Sequence, residues 1–199
     1  MTDTGLHGIA IYNPALLSKD ELKRNFIARS ALLNNLMDSL KREKLGSAPQ
    51  HRLIIGLRGM GKTTLLRRFA LAVEEDATLN QQWLPLTFPE EQYNVSKLAD
   101  LWLNSLDALG DMLETSGDTQ AAEKLDELIS SLPKNDSELI CKTLLNEAKK
   151  HGKRLLLMID NIDLIFDRLK DEQWALRETL QAQTDLLIIG GSSVPTAHL

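Results

Sequence analysis

Gly56-Leu57-Arg58-Gly59-Met60-Gly61-Lys62-Thr63 satisfies the pattern G-x-x-x-x-G-K-[ST] at every fixed position. Residues of these types at this spacing are suited to capturing a polyphosphate. The glycines permit positive φ and close backbone approach, so successive N–H groups can converge on phosphate oxygens. Lys62 supplies a compact positive charge for the β- and γ-phosphates, and the hydroxyl of Thr63 can ligate Mg²⁺. Arg58 and Met60 fill variable positions of the same cofactor-binding stretch, which runs from Gly56 through Thr64. A chance match somewhere in a chain of this length has odds of about one in a hundred at ordinary residue frequencies.

A triphosphate loop calls for a second acid that holds the metal. Arg154-Leu155-Leu156-Leu157-Met158-Ile159 is an apolar run ending at Asp160, so Thr63 and Asp160 are the expected metal pair. Many nucleotide-hydrolysing sites follow this aspartate with a glutamate that polarises the attacking water; here the position is Asn161. An amide can orient water but cannot take its proton. Asp163 can contribute a carboxylate only if the backbone turns it inward, and it otherwise caps a helix starting near Leu164. Asp167 reads as a surface residue. Hydrolysis is therefore a weaker expectation than binding.

The elements that must position these groups alternate along the chain. Ser18-Lys19-Asp20-Glu21 has capping-box spacing, and Leu32, Leu33, Leu36, Met37 and Leu40 read as one amphipathic helix. Arg52–Ile55 is a short buried strand before the glycine loop, and Thr63–Glu75 a helix after it. Trp83–Phe88 reads as a strand whose Pro85 confines it to a sheet edge. Helices follow from Ser96, from Thr119 to Leu132, and from Asp136 or Ser137 to about Lys150, with Gly110 weakening the end of the first. The run ending at Asp160 and Asp185–Ile189 complete the strands, with a helix around Lys170–Gln183 between them. Short apolar strands alternating with helices predict an α/β fold, a mostly parallel sheet between two helical layers.

Composition limits the alternatives. The chain has 199 residues, 43% hydrophobic, 5% aromatic and 26% charged, with a net charge of -5. It is long enough for one aliphatic core. It has no apolar run long enough for a transmembrane helix, and Met1-Thr2-Asp3-Thr4 has no signal-peptide character. The single cysteine, Cys141, sits in a helical stripe and points to a reducing, cytoplasmic setting. The acidic balance argues against a chain devoted to nucleic acid, although Lys149–Arg154 is a local basic run that reads as a solvated helix end. His7, His51, His151 and His198 are too scattered for a metal site. Trp102 and Trp174 read as packing residues.

Taken together, Phe26–Leu36 (FIARSALLNNL), Gly56–Thr64, Asp160–Asp163 and Leu186–Ile189 resemble the P-loop NTPases of the additional-strand type, the AAA+ and STAND group, and most of all the origin-recognition-type and archaeal-type ATPases. The resemblance covers about residues 24 to 193. It implies a P-loop NTPase fold and binding of ATP with Mg²⁺. Residues 1–45 would be a helical segment contributing to the nucleotide pocket, Arg29 included, and 46–199 the ATPase core. It further implies a γ-phosphate sensor after the last strand, with Ser192 the first choice and Ser193 the second. Catalytic roles then fall to Lys62, Asn161 or Asp163, and Ser192. The group's fifth strand and helical lid find no room in Gly190–Leu199, so the chain is expected to be a truncated core without a lid. ATP would act as a conformational switch, with self-association or a protein partner, room for nucleic-acid contact through regions outside this chain, and no membrane. Two rivals stand beside this reading: a nucleotide-binding scaffold with little turnover, motivated by Asn161, and a small-molecule phosphotransferase. No [NT]-K-x-D guanine motif is present.

Overall fold

The computed structural model describes residues 17–27, 29–88 and 95–193. The signal-peptide reading at Met1–Thr4, His7, His198, Ala28 of the pre-strand segment and positions 194–199 lie outside them.

Two short helices open the described chain. Helix α1 (Lys19–Asn25) starts on the capping box: the Glu21 N–H donates to the Ser18 hydroxyl, and the Ser18 N–H donates to the Glu21 carboxylate. Helix α2 (Ser30–Lys41) turns Leu33, Leu36 and Leu40 inward, at the spacing read from the sequence. Strand β1 (Arg52–Ile55) then leads through the glycine loop into α3 (Lys62–Glu75). Helix α4 (Ala77–Gln82) is capped by Asp76 and feeds β2 (Trp83–Thr87).

Three longer helices follow: α5 (Leu98–Ser116), α6 (Thr119–Ser131) and α7 (Ser137–Lys150). Helix α5 starts two residues after Ser96. The Asp100 carboxylate gathers the Ser96 N–H, the Ser96 hydroxyl and the Lys97 N–H, so an acid in the first turn satisfies the backbone at the helix start. Gly110 does not weaken the helix end: α5 runs on to Gly117, whose φ of 89° closes it. Strand β3 (Arg154–Ile159), helix α8 (Ile162–Leu169), a 3-10 turn, helix α9 (Gln173–Ala182) and strand β4 (Leu186–Ser192) complete the order.

The four strands are parallel in the order β1-β4-β3-β2. Strand β4 thus lies between the loop-bearing strand and the strand that ends at Asp160. Strand β2 is at an edge, as Pro85 requires. Because β3 and β4 are covered on both sides, alternate residues enter two cores. Leu155, Leu157, Ile159, Leu186 and Ile188 meet α5 to α9, while Leu156, Met158, Leu187 and Ile189 meet α2 and α3. The architecture is the expected three-layer α/β/α. Residues of α2 share their core with Leu65 and Phe69 of α3, so the N-terminal helices are packed against the sheet layer.

Two readings need correction. The fourth strand does not stop at Ile189; Gly190, Gly191 and Ser192 pair with Leu53, Ile54 and Ile55 as part of β4. A Gly-Gly-Ser sequence carries turn chemistry, and here the room that missing side chains leave is used inside a strand. Trp174 is not a packing residue: it is 74% exposed, with the Arg177 guanidinium 5.4 Å from its ring centre. Trp102, by contrast, is fully buried. Cys141 is buried, and that burial pushes its thiol up to about 12.

Candidate phosphate-binding site

The carboxyl ends of β1, β4 and β3 converge on one rim of the sheet, and the loop begins there. The Gly56 N–H donates to the Ser192 carbonyl (3.1 Å), which fixes the start of the loop to β4. Gly59 and Gly61 have φ of 81° and 75°, and nothing lies within 4 Å of a Cβ added at either. What they need is the left-handed backbone, not extra room. Gly61 is the N-cap of α3, with no side-chain cap and no acid in the first turn. The positive end of a 14-residue helix, opening with Lys62, Thr63 and Thr64, is therefore turned to the loop.

Lys62 is only 6% exposed. Its Nζ donates to the carbonyls of Gly56 (2.8 Å) and Leu57 (3.3 Å) and to the Ser193 hydroxyl (2.9 Å). A charged donor thus spans the loop from the end of β1 to the residue just after β4. Met60 folds over the same loop, its Sδ accepting from the Leu57 N–H at 3.1 Å. Arg58 is exposed.

Thr63 and Asp160 are brought together directly: the Thr63 hydroxyl donates to Asp160 Oδ2, and Asp160 Oδ1 accepts from the Asn161 N–H at 3.0 Å. Asp160 is 9% exposed. A hydroxyl and a carboxylate oxygen in contact at a helix start form a hard-oxygen donor set that fits Mg²⁺, which keeps several waters and shares the rest of its shell with phosphate. Among the described residues no group of three or more His, Cys, Asp or Glu could hold a metal alone. Thr63 and Asp160 also line one end of a groove of about 660 Å³, which follows the outer edge of β2 between α3 and α5.

The remaining expected residues are arranged differently. Asn161 has a left-handed backbone (φ 50°, ψ 41°) and is the N-cap of α8 without a side-chain bond. Asp163 lies in the first turn of α8, buried, with Oδ1 lacking a hydrogen-bond partner; it is not the cap. Asp167 is exposed. Ser192 is fully buried inside β4, whereas Ser193 touches Lys62. Arg29 is the half-buried N-cap of α2, and among the described residues no hydrogen bond or ion pair joins it to Lys62, Thr63 or Asp160. The basic run at the end of α7 is spent on local partners: Lys149 on Asp185, Lys150 on Glu147, Lys153 on Asn80, and Arg154 over the Trp83 ring at 3.8 Å.

The family model of the AAA ATPase domain matches residues 25–189. No curated protein matches the chain. Among solved structures, the Aeropyrum pernix ORC2 protein, determined as ADPNP-ADP complexes, aligns over 84% of this chain and 42% of its own, at 15% identity and a TM-score of 0.60. The Aeropyrum pernix ORC1 protein in complex with DNA aligns over 93% and 42%, at 16% identity and 0.58. CDC6P from Pyrobaculum aerophilum aligns over 92% and 42%, at 14% identity and 0.52. These likenesses concern the fold, and the chain spans about two fifths of the length of each of the three proteins.

Proposed function

Because the chain belongs to the AAA ATPase domain family, we propose that it binds ATP with Mg²⁺ at the glycine loop and hydrolyses it slowly, as a conformational switch within a longer protein or assembly. The observation that carries this reading is the convergence of the buried Lys62 ammonium with the Thr63–Asp160 pair at the carboxyl rim of the sheet. Backbone N–H groups from Gly59 to Thr64 would bind the α- and β-phosphates, with Gly56 and Arg58 completing the loop around them. Lys62 would exchange its bonds to Gly56 and Leu57 for bonds to the β- and γ-phosphates. Thr63 and Asp160 would hold Mg²⁺, whose contribution when bound is to neutralise charge on the phosphates.

Asn161 or Asp163 would orient water, and Ser193 or Ser192 would read the γ-phosphate, Ser193 through the lysine it already contacts. Arg29 and the 1–45 segment would complete the nucleotide pocket from the α2 side, with 46–199 as the ATPase core. Self-association or a protein partner, DNA contact through other regions, and a cytoplasmic setting belong to the same proposal. Among the described residues no helix is long and apolar enough to cross a membrane.

Asn161 favours one second reading, a nucleotide-binding module with little turnover, because an amide cannot accept the proton of the attacking water. A γ-phosphate release assay separates the two. Under the switch reading the wild type turns over, Lys62→Ala abolishes turnover, and Asn161→Glu accelerates it. A wild type that binds ATP tightly yet releases no phosphate overturns hydrolysis in favour of the module.

A further inference from the structure

Strand β4 passes directly beneath the turn that carries the metal aspartate. Its register sets Ile159 of β3 against Gly190, so Asp160 and Ile162 lie over Gly190 and Gly191. A Cβ on Gly191 would stand 2.6 Å from Asp160 Oδ1, while its next neighbours, Leu66 Cδ1 at 3.4 Å and Lys62 Cβ at 3.6 Å, are ordinary contacts. A Cβ on Gly190 would stand 2.7 and 2.9 Å from Ile162 Cγ2 and Cδ1. Neither glycine is among those with positive φ. Their value is therefore the space they leave, and the two spaces receive different side chains.

The Asp160 carboxylate has little freedom to yield. Oδ2 is bonded to the Thr63 hydroxyl and Oδ1 to the Asn161 N–H. The second bond closes the Asp160–Asn161 step, where Asn161 holds its left-handed backbone before α8 begins. A methyl group at 191 would push Oδ1 aside, and the planar carboxylate would have to give up one of those two bonds.

We propose that Gly191 is a positioning residue for the metal site: by leaving β4 bare under Asp160, it sets the carboxylate against Thr63 in the orientation that receives Mg²⁺. Gly190 does separate work, admitting Ile162 so that α8 can pack on the sheet. The proposal rests on the Mg²⁺–nucleotide reading for its metal consequence, but not for its packing.

Two measurements on the full 199-residue chain test it. The first is a thermal double-mutant cycle. Gly191→Ala should lower Tm by about 2–12 °C in the wild-type background, the usual penalty of overpacking in a chain of this size. In an Asp160→Ala background the same substitution should cost almost nothing, because the atom it meets is gone. Gly190→Ala should keep its full cost on Asp160→Ala, since its clash is with Ile162. Equal losses from Gly191→Ala in both backgrounds overturn the proposal. If Gly191→Ala alone does not fold, a folded Asp160→Ala/Gly191→Ala double variant supports it and an unfolded one refutes it.

The second measurement is the affinity for a fluorescent ATP analogue, with Mg²⁺ and with EDTA. Gly191→Ala should weaken the Mg²⁺ complex about 10–100-fold, the scale seen when a metal ligand loses its support, and leave the EDTA affinity within about twofold. Equal weakening in both conditions overturns the positioning role. A wild type with no nucleotide affinity in either condition refutes the nucleotide reading, and the thermal cycle then decides the packing claim on its own.

Discussion

Replacing Lys62 with methionine keeps most of the buried stem and removes the charge. In the free chain the ammonium donates to two loop carbonyls and to the Ser193 hydroxyl. Leu57 is 73% exposed and Gly56 half-buried, so water can reach their carbonyls once the lysine is gone. Stability should change little, by under about 1 kcal/mol, or roughly 2–4 °C in Tm. Binding should change much more. On the proposed reading the ammonium would trade those neutral acceptors for anionic phosphate oxygens when ATP enters, and a hydrogen bond to a charged group contributes about 1.5–3 kcal/mol net. Lys62→Met should then weaken ATP roughly 10- to 150-fold. AMP, which has no β- or γ-phosphate for the lysine to reach, should lose no more than about twofold. Isothermal titration with both nucleotides, beside a melting curve, makes the measurement. An ATP affinity within twofold of wild type, or equal losses for ATP and AMP, would refute the reasoning.

Two further outcomes are expected. His51 accepts the Ile188 N–H on Nδ1 (3.0 Å) and faces the Leu180 carbonyl with Nε2 (3.2 Å), an arrangement that suits the neutral ring protonated on Nε2. Burial, more than any nearby charge, holds its pKa below the ordinary histidine value. The unfolded chain therefore binds the proton more readily, and stability present above about pH 6.5 should fall as pH drops through the folded pKa, by at most about 1.4 kcal/mol per pH unit. Tm measured from pH 7.5 down to 5.5 should decline in the wild type and flatten in His51→Gln; parallel curves would rule the histidine out. The two serines after the glycine pair should also separate. Ser193→Ala removes an acceptor of Lys62 and should alter phosphate release with little effect on Tm, whereas Ser192→Ala falls in a fully buried strand position and should read out mainly as stability. The reverse pattern would return the sensor role to Ser192.

The legible parts of the fold were those where one local rule acts alone. The capping box at Ser18, the apolar stripe of α2, Pro85 at an edge and the glycine loop before α3 each follow from local residue identity and spacing. What sequence could not supply was the use of space between distant segments. Gly190-Gly191-Ser192 carries turn signals, but Ile162 and Asp160 come from another strand and helix to fill the gap, and the pairing with β1 continues. For the same reason sequence alone could not tell that Ser192 is held inside β4 while Ser193 reaches Lys62. Trp174 lies outside the core for a related reason: residue type marks tryptophan as a packing residue, and only the packing of α9, which buries Leu176, decides which face turns outward. The loop's conformation was legible because its consensus specifies backbone geometry as well as side chains.

Pro85 has a consequence beyond naming an edge. The Phe88 N–H donates to the Met158 carbonyl, so by alternation along a strand Leu84 and Leu86 also direct their amides toward β3, while Trp83, Pro85 and Thr87 direct theirs away. The proline therefore takes the middle of the outward row and deletes its central donor. A foreign strand meeting this flank would find its hydrogen-bonding template broken halfway along. This flank is thereby protected from fusing with a second strand into a continuous sheet, a safeguard against aggregation written in a single imino acid.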